Sequence, residues 1–136
     1  MRLDLYQAET ARIAVEQCAL LAEARAILQQ GRPLTLLVHG GMLHALQILI
    51  ENAIGKAKQL LKARQLPVPV SGYDAFKALV HCQLMEPGDL PSWNAVVGLR
   101  NRIVHDYMNI DMDQVTALVA ENREQFIVRF LLKEFP

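Results

Sequence analysis

Residues 99–107 read LRNRIVHDY, and five of these nine side chains can carry charge, move a proton or accept a covalent group. Arg100 offers a rigid fork of donors suited to a phosphate or to a pentacoordinate phosphorus transition state. His105 carries an imidazole, a group that can take a proton from a ribose 2′-hydroxyl or give one to a leaving oxygen. Asn101 can donate to a phosphate oxygen or orient the imidazole. Tyr107 brings a phenolic hydroxyl two residues beyond the histidine. The same residues also suit a polar helix end held by ordinary salt bridges, because an arginine and a histidine five apart recur by chance.

Geometry separates the two readings in part. On a regular helix each residue turns about 100°, so Asn101 and His105 share a face. Arg100 and Tyr107, seven apart, then lie within about 20° of each other, whereas Arg100 and His105 are separated by about 140°. For the arginine and histidine to act on one phosphate, the helix must end near His105, or a second copy of the chain must supply the missing group. Asn109 and Asp111 place a break just downstream.

The rest of the chain reads as helices that would position this stretch. Apolar residues recur at helical period and strand-like alternation is almost absent. A first helix is expected over about residues 3–30, with Ile13, Leu20, Leu21, Ala24, Ile27 and Leu28 on one stripe and a stop at Gly31-Arg32-Pro33. A second, over about 35–64, has Thr35 as N-cap and places Leu36, Leu37, Leu43, Leu46, Leu49, Ile50, Ile54, Leu60 and Leu61 on its apolar face. Gly40-Gly41 inside it costs about 1 kcal/mol per glycine against alanine, which implies a kink or a close helix contact there. The prolines of QLPVPVSG make a loop. A third helix follows over about 73–84, capped from Ser71 or Asp74, and Glu86–Asp89 forms a turn. Pro91 opens a fourth helix that carries the motif. Asp111, with Gln114 three residues on, caps a last helix whose apolar face holds Val115, Leu118, Val119, Phe126, Phe130 and Leu131. Five helices with short connections imply an all-α bundle in a single domain over residues 1–136.

Composition narrows the function classes. Hydrophobic residues make up 52% of the 136, too many for a disordered chain and enough to leave apolar surface for a homodimer. Fourteen basic and fourteen acidic side chains give zero formal net charge, which disfavours grip on long nucleic acid by bulk electrostatics but leaves room for a local cationic site. Cys18 and Cys82 lack metal-ligand spacing and read as small core residues of a reducing compartment. No cluster of carboxylates suggests a metal, and His39, His44 and His81 form no recognisable arrangement. The opening MRLDLYQAETARIA lacks the unbroken apolar region of a signal peptide, and the most apolar stretch, from Leu34 to Ile54, is interrupted by seven histidine, glycine and polar or acidic residues. A cytoplasmic protein without a membrane span is expected.

The full motif Arg100-Asn101-Arg102-Ile103-Val104-His105-Asp106-Tyr107 resembles the signature of the HepT toxins within the HEPN ribonuclease superfamily. HALQILIENAIGKAKQLL, with an acid at Glu51, is similar to that family's second helix, and VVGLRNRIVHDYMNID to its motif helix and following turn. The likeness runs through roughly residues 10–130 in matching order. It implies an all-α homodimer whose two motifs form a composite, metal-independent ribonuclease cleft, with no cofactor. Arg100 would stabilise the phosphorane and His105 would serve as acid–base catalyst, with Asn101 as the polar residue beside them. It further implies a partner, a minimal nucleotidyltransferase antitoxin of the MntA type, that transfers AMP from ATP onto Tyr107. Added phosphate and bulk beside Arg100 would block RNA. Glu51 either pairs with Arg100 or is a solvated helix acid. The proline-rich loop and the neutral charge depart from what RNA binding favours. They suit an alternative in which the chain is a non-catalytic helical partner that binds nucleotide or docks a nucleotidyltransferase.

Overall fold

A computed structural model describes residues 3–135. Six α-helices run in order: α1 (Leu3–Gln29), α2 (Leu36–Ala63), α3 (Gly72–His81), α4 (Leu90–His105), α5 (Met112–Ala120) and α6 (Gln125–Leu132). Short 3₁₀ turns at Pro87–Asp89 and Tyr107–Asn109 lead into α4 and out of it. The described residues contain no strand, as the periodicity implies.

α2 is the central element, packed by α1, α3, α4 and α6. Its apolar residues recur on nearly every side, and Leu43, Leu46, Leu49, Ile50, Leu60 and Leu61 are buried as expected. Leu36 and Leu37 are not: they stand 88% and 86% exposed on the first turn of α2, beyond the reach of the other helices. Gly40 and Gly41 likewise meet nothing, and a methyl group built on either would touch no atom within 4 Å. The close helix contact expected there is absent within the chain, and the helix continues through both glycines. Leu20 of α1 also turns outward, and the buried face of that helix is Thr10, Ala14, Leu21 and Ala24.

Caps set most boundaries. Thr35 accepts the Val38 amide at 3.2 Å, Ser71 accepts that of Asp74 at 3.1 Å, and Asp111 accepts those of Asp113 and Gln114. Four helix ends share one closing device. Gly31, Gln65, Gln83 and Asn122 adopt left-handed φ values of 70°, 56°, 65° and 58°. The amide after each bonds back to the carbonyl five residues earlier, as from Arg123 to Leu118 at 2.9 Å. Glycine announces the first of these. The two glutamines and the asparagine do not, which is why α3 stops at His81 rather than near residue 84 and why the expected last helix divides into α5 and α6.

That division is held from across the bundle. Arg25 of α1 donates through Nε to the Val119 carbonyl at 2.9 Å and through Nη2 to the fully buried Glu124, which opens α6. At the other end of α6, the buried Lys56 ammonium donates to the carbonyls of Phe130 (2.7 Å), Leu131 (3.2 Å) and Lys133 (2.5 Å). A cation among the last carbonyls of a helix satisfies orphan acceptors and complements the helix dipole. Burial, with the nearby Lys133 charge, pulls the Lys56 pKa down to about 8.

Aromatic packing fixes α4 at its start. Trp93 stacks on Phe76 of α3 with centroids 4.2 Å apart and meets Phe126 and Phe130 of α6 edge-on at 4.9 and 5.1 Å. Gly72 allows α3 to begin in contact with its neighbours, since a Cβ there would stand 2.9 Å from Ile54. Trp93 precedes His105 by twelve residues, about 18 Å along the axis. The helix is thus clamped three turns away from its polar end, which faces solvent.

Candidate active site at the end of the fourth helix

α4 terminates at His105. Asp106 leaves helical geometry (φ −145°, ψ 46°) while its amide still bonds to the Arg102 carbonyl at 2.8 Å. The chain then turns through Tyr107–Asn109, closed by the Asn109 side chain on the Asp106 carboxylate at 2.7 Å and the Asn109 amide on the Asp106 carbonyl at 3.0 Å. Asp111 caps α5 two residues later. The run DYMNID is therefore a tight corner between two helices.

The corner follows both Arg100 and His105, so each of them keeps its place on α4. Asn101 and His105 both lie on α4 and share its face, as the spacing requires. Arg100 and His105 remain about 140° apart on one regular helix. Tyr107 lies beyond the helix, so the arithmetic that sets it on the same side as Arg100 does not apply; that expectation is corrected by the early end of α4. His105 is exposed, Tyr107 is 55% exposed and Met108 92% exposed, so the phenol is accessible to a second protein or to solvent.

Arg100 is positioned by two contacts. Its Nη1 donates to the Asn101 side-chain oxygen at 3.1 Å. Its Nη2 stands 3.9 Å from the Glu51 carboxylate of α2. Its Nε is buried with no hydrogen-bond partner in the protein. Glu51 faces the motif helix, and Gln47, one turn earlier on α2, donates to its other oxygen at 3.1 Å. Gln47 was not marked by the sequence as part of the site; its only signal there is the four-residue spacing to Glu51. Beside these groups, Arg102 makes no ion pair among the described residues.

His44 and His81 are exposed and His39 is half-buried. Cys18 and Cys82 are unpaired and half-buried. Among the described residues no three His, Cys, Asp or Glu side chains gather as a metal site would require, and no helix is long and apolar enough to cross a membrane.

Comparison with known proteins places this arrangement. The family described as ribonuclease HepT-like matches residues 16–131. The mRNA nuclease HepT of Shewanella oneidensis is 33% identical over 81 residues, which span 60% of this chain and 61% of that protein. Among solved structures, a tri-AMPylated HEPN toxin of the same organism, in complex with its MNT antitoxin, is 28% identical with a TM-score of 0.62 over 85% of this chain and 93% of the toxin. A variant of an MntA–HpeT toxin–antitoxin is 25% identical with a TM-score of 0.64 over 88% of this chain and 95% of the other. A toxin–antitoxin with AMP-PNP shares the fold at 23% identity and a TM-score of 0.65, over 88% and 97% of the two chains. With a match across most of its length and the same all-helical architecture, the chain belongs to the HepT-like ribonuclease family.

Proposed function

We propose that the chain, acting as one HepT-like domain in the cytoplasm, is the toxin of a toxin–antitoxin pair and a metal-independent endoribonuclease. The observation that carries this is the end of α4 at His105, with Arg100 one and a half turns earlier held by Asn101 and Glu51. His105 removes the proton from a ribose 2′-hydroxyl, whose oxygen attacks the adjacent phosphorus. The 5′-oxygen of the next nucleotide leaves with a proton, and a 2′,3′-cyclic phosphate remains. Arg100 stabilises the charge that builds on the phosphorane, and Asn101 keeps both groups in register.

The 140° between Arg100 and His105 supports a homodimer in which the two motifs complete one cleft. Exposed Tyr107 supports regulation by a cognate MntA-type nucleotidyltransferase. Its phenolic oxygen attacks the α-phosphorus of ATP, pyrophosphate leaves, and the adenylyl group sits at the mouth of the cleft, where its charge and bulk exclude RNA.

Purified protein should cleave RNA in the presence of EDTA, and His105→Ala should abolish cleavage without loss of helicity. Cleavage that survives the substitution overturns the assignment. Incubation with the partner enzyme and ATP should add mass in steps of one AMP, and Tyr107→Phe should prevent it.

A further inference from the structure

Among the clefts on the described surface, three bear on function. The cleft beside Trp93 sets Glu86 and Asp89 against Arg129 and Lys133, and the cleft beside Tyr6 is bordered by Lys56, whose ammonium is already committed to α6 carbonyls. The third lies between α4 and α5 and has a volume of about 440 Å³, within the ~300–1,000 Å³ of small-molecule sites. Its walls are Val96, Leu99, Val115 and Leu118, and Arg102, Arg123, Asn109 and Gln114 stand around it.

Arg102 links this cleft to the motif. It precedes His105 by three residues, so the two are neighbours on one helix face, about 60° apart and about 5–6 Å between Cβ atoms. Within one chain, the cation beside the histidine is therefore Arg102, not Arg100. Among the described residues Arg123 pairs with Glu121 alone, at 3.2 Å and with both side chains more than half exposed, a contact that stabilises by under about 1 kcal/mol and yields readily to a phosphate. The acid on this lining, Asp111, already accepts two amides as the cap of α5. Asn109 keeps its side-chain oxygen free to accept, since its nitrogen is the group bound to Asp106.

We propose that the α4–α5 cleft is a nucleotide subsite: it takes one nucleoside 5′-monophosphate unit, with phosphate on Arg102 and Arg123 and base between Leu99, Val115 and Leu118. Two sources offer that chemistry, the RNA nucleotide flanking the bond that His105 attacks and the adenylyl group on Tyr107, which begins the turn ending at Asn109. The subsite rests on the ribonuclease reading only for what fills it; the binding itself does not require cleavage.

The test is a titration of isotope-labelled protein with 5′-AMP, read by amide chemical shifts. Saturable shifts at Leu99, Arg102, Val115 and Leu118 are expected, with the dissociation constant rising at least about fivefold in Arg102→Gln and in Arg123→Gln. Both positions are exposed, and unchanged helicity checks the fold of each variant. No saturation, shifts elsewhere, or affinity unchanged from the parent protein in either variant overturns the subsite. Protein already adenylylated at Tyr107 identifies the occupant. If its α4–α5 amides are shifted in advance and no longer respond to AMP, the adenylyl group fills the cleft. If they still respond, and Arg102→Gln raises KM for RNA more than it lowers kcat, the occupant is the RNA nucleotide. A protein that binds AMP here yet cuts no RNA retains the subsite and loses the ribonuclease; one that cuts RNA without binding AMP here does the reverse.

Discussion

Glu51 and Arg100, on facing helices, stand 3.9 Å apart, and Gln47 steers the carboxylate from one turn away. The separation is long for an ion pair, and both side chains are about 30% exposed, so the pair adds under about 1 kcal/mol to folding. Its effect falls on where the guanidinium points. Glu51→Gln should therefore leave the melting temperature within a few degrees while lowering kcat for RNA cleavage about tenfold, a loss near 1.4 kcal/mol of transition-state stabilisation. Urea melts and single-turnover cleavage measure the two effects separately. Equal losses in stability and rate would mean that Glu51 acts only as a strut.

The Arg25–Glu124 pair has the opposite character. Glu124 is fully buried, and one of its oxygens has no partner even with Arg25 present. Arg25→Ala strands that carboxylate and the Val119 carbonyl together, and a loss of about 3–5 kcal/mol is expected in chemical denaturation. Replacing both residues by apolar ones of similar volume should recover most of it, because desolvation and attraction nearly cancel in such pairs.

Lys56 gives stability a dependence on pH. Its folded-state pKa is lowered to about 8, so the unfolded chain holds the proton more tightly than the native one. Stability should rise as pH climbs from about 8 toward 10, by at most about 1.4 kcal/mol per unit. Tyr6, whose pKa burial raises, reverses the trend above 10, because there the unfolded chain gives up its proton first. Lys56→Met should flatten the rise and cost about 1–3 kcal/mol at neutral pH, since three carbonyls lose their donor. Denaturation midpoints from pH 7 to 10 check both statements.

How far the sequence could be read follows from which signals are local. Thr35, Ser71 and Asp111 are caps because of their own side chains, and all three were legible. The end of α2 was also legible, from the prolines that follow it, whereas the stops at Gln83 and Asn122 depend on a left-handed residue that is not glycine, favoured by contacts made after the helix ends. Periodicity aligned Leu36 with the buried Leu43 and Ile50, but it carries no information on where the neighbouring helices stop; Leu37 aligns instead with the exposed His44 and was wrongly assigned to the apolar face. In the site, Arg100, Asn101, His105 and Tyr107 stood out as residue types. Gln47, and the cleft beside Arg102, exist only once α2, α4 and α5 are packed together. The angle between Arg100 and Tyr107 was misjudged because the helix ends between them.

That same end of the helix leaves Arg100 and His105 on different sides of one chain, and it makes the composite cleft testable without a structure of the dimer. Arg100→Ala and His105→Ala should each lower cleavage at least about a hundredfold, as expected when a transition-state group or an acid–base catalyst is removed. Unfolding and refolding an equimolar mixture of the two variants pairs the intact arginine of one chain with the intact histidine of the other. Activity should return in the mixture and in neither variant alone. The recovered fraction should fall on dilution if the pair dissociates, since only the heterodimer carries a complete set. If no activity returns while native mass spectrometry shows that mixed dimers have formed, each active site is built within a single chain. The 140° would then have to be closed by unwinding of the last turn of α4, which carries His105, instead.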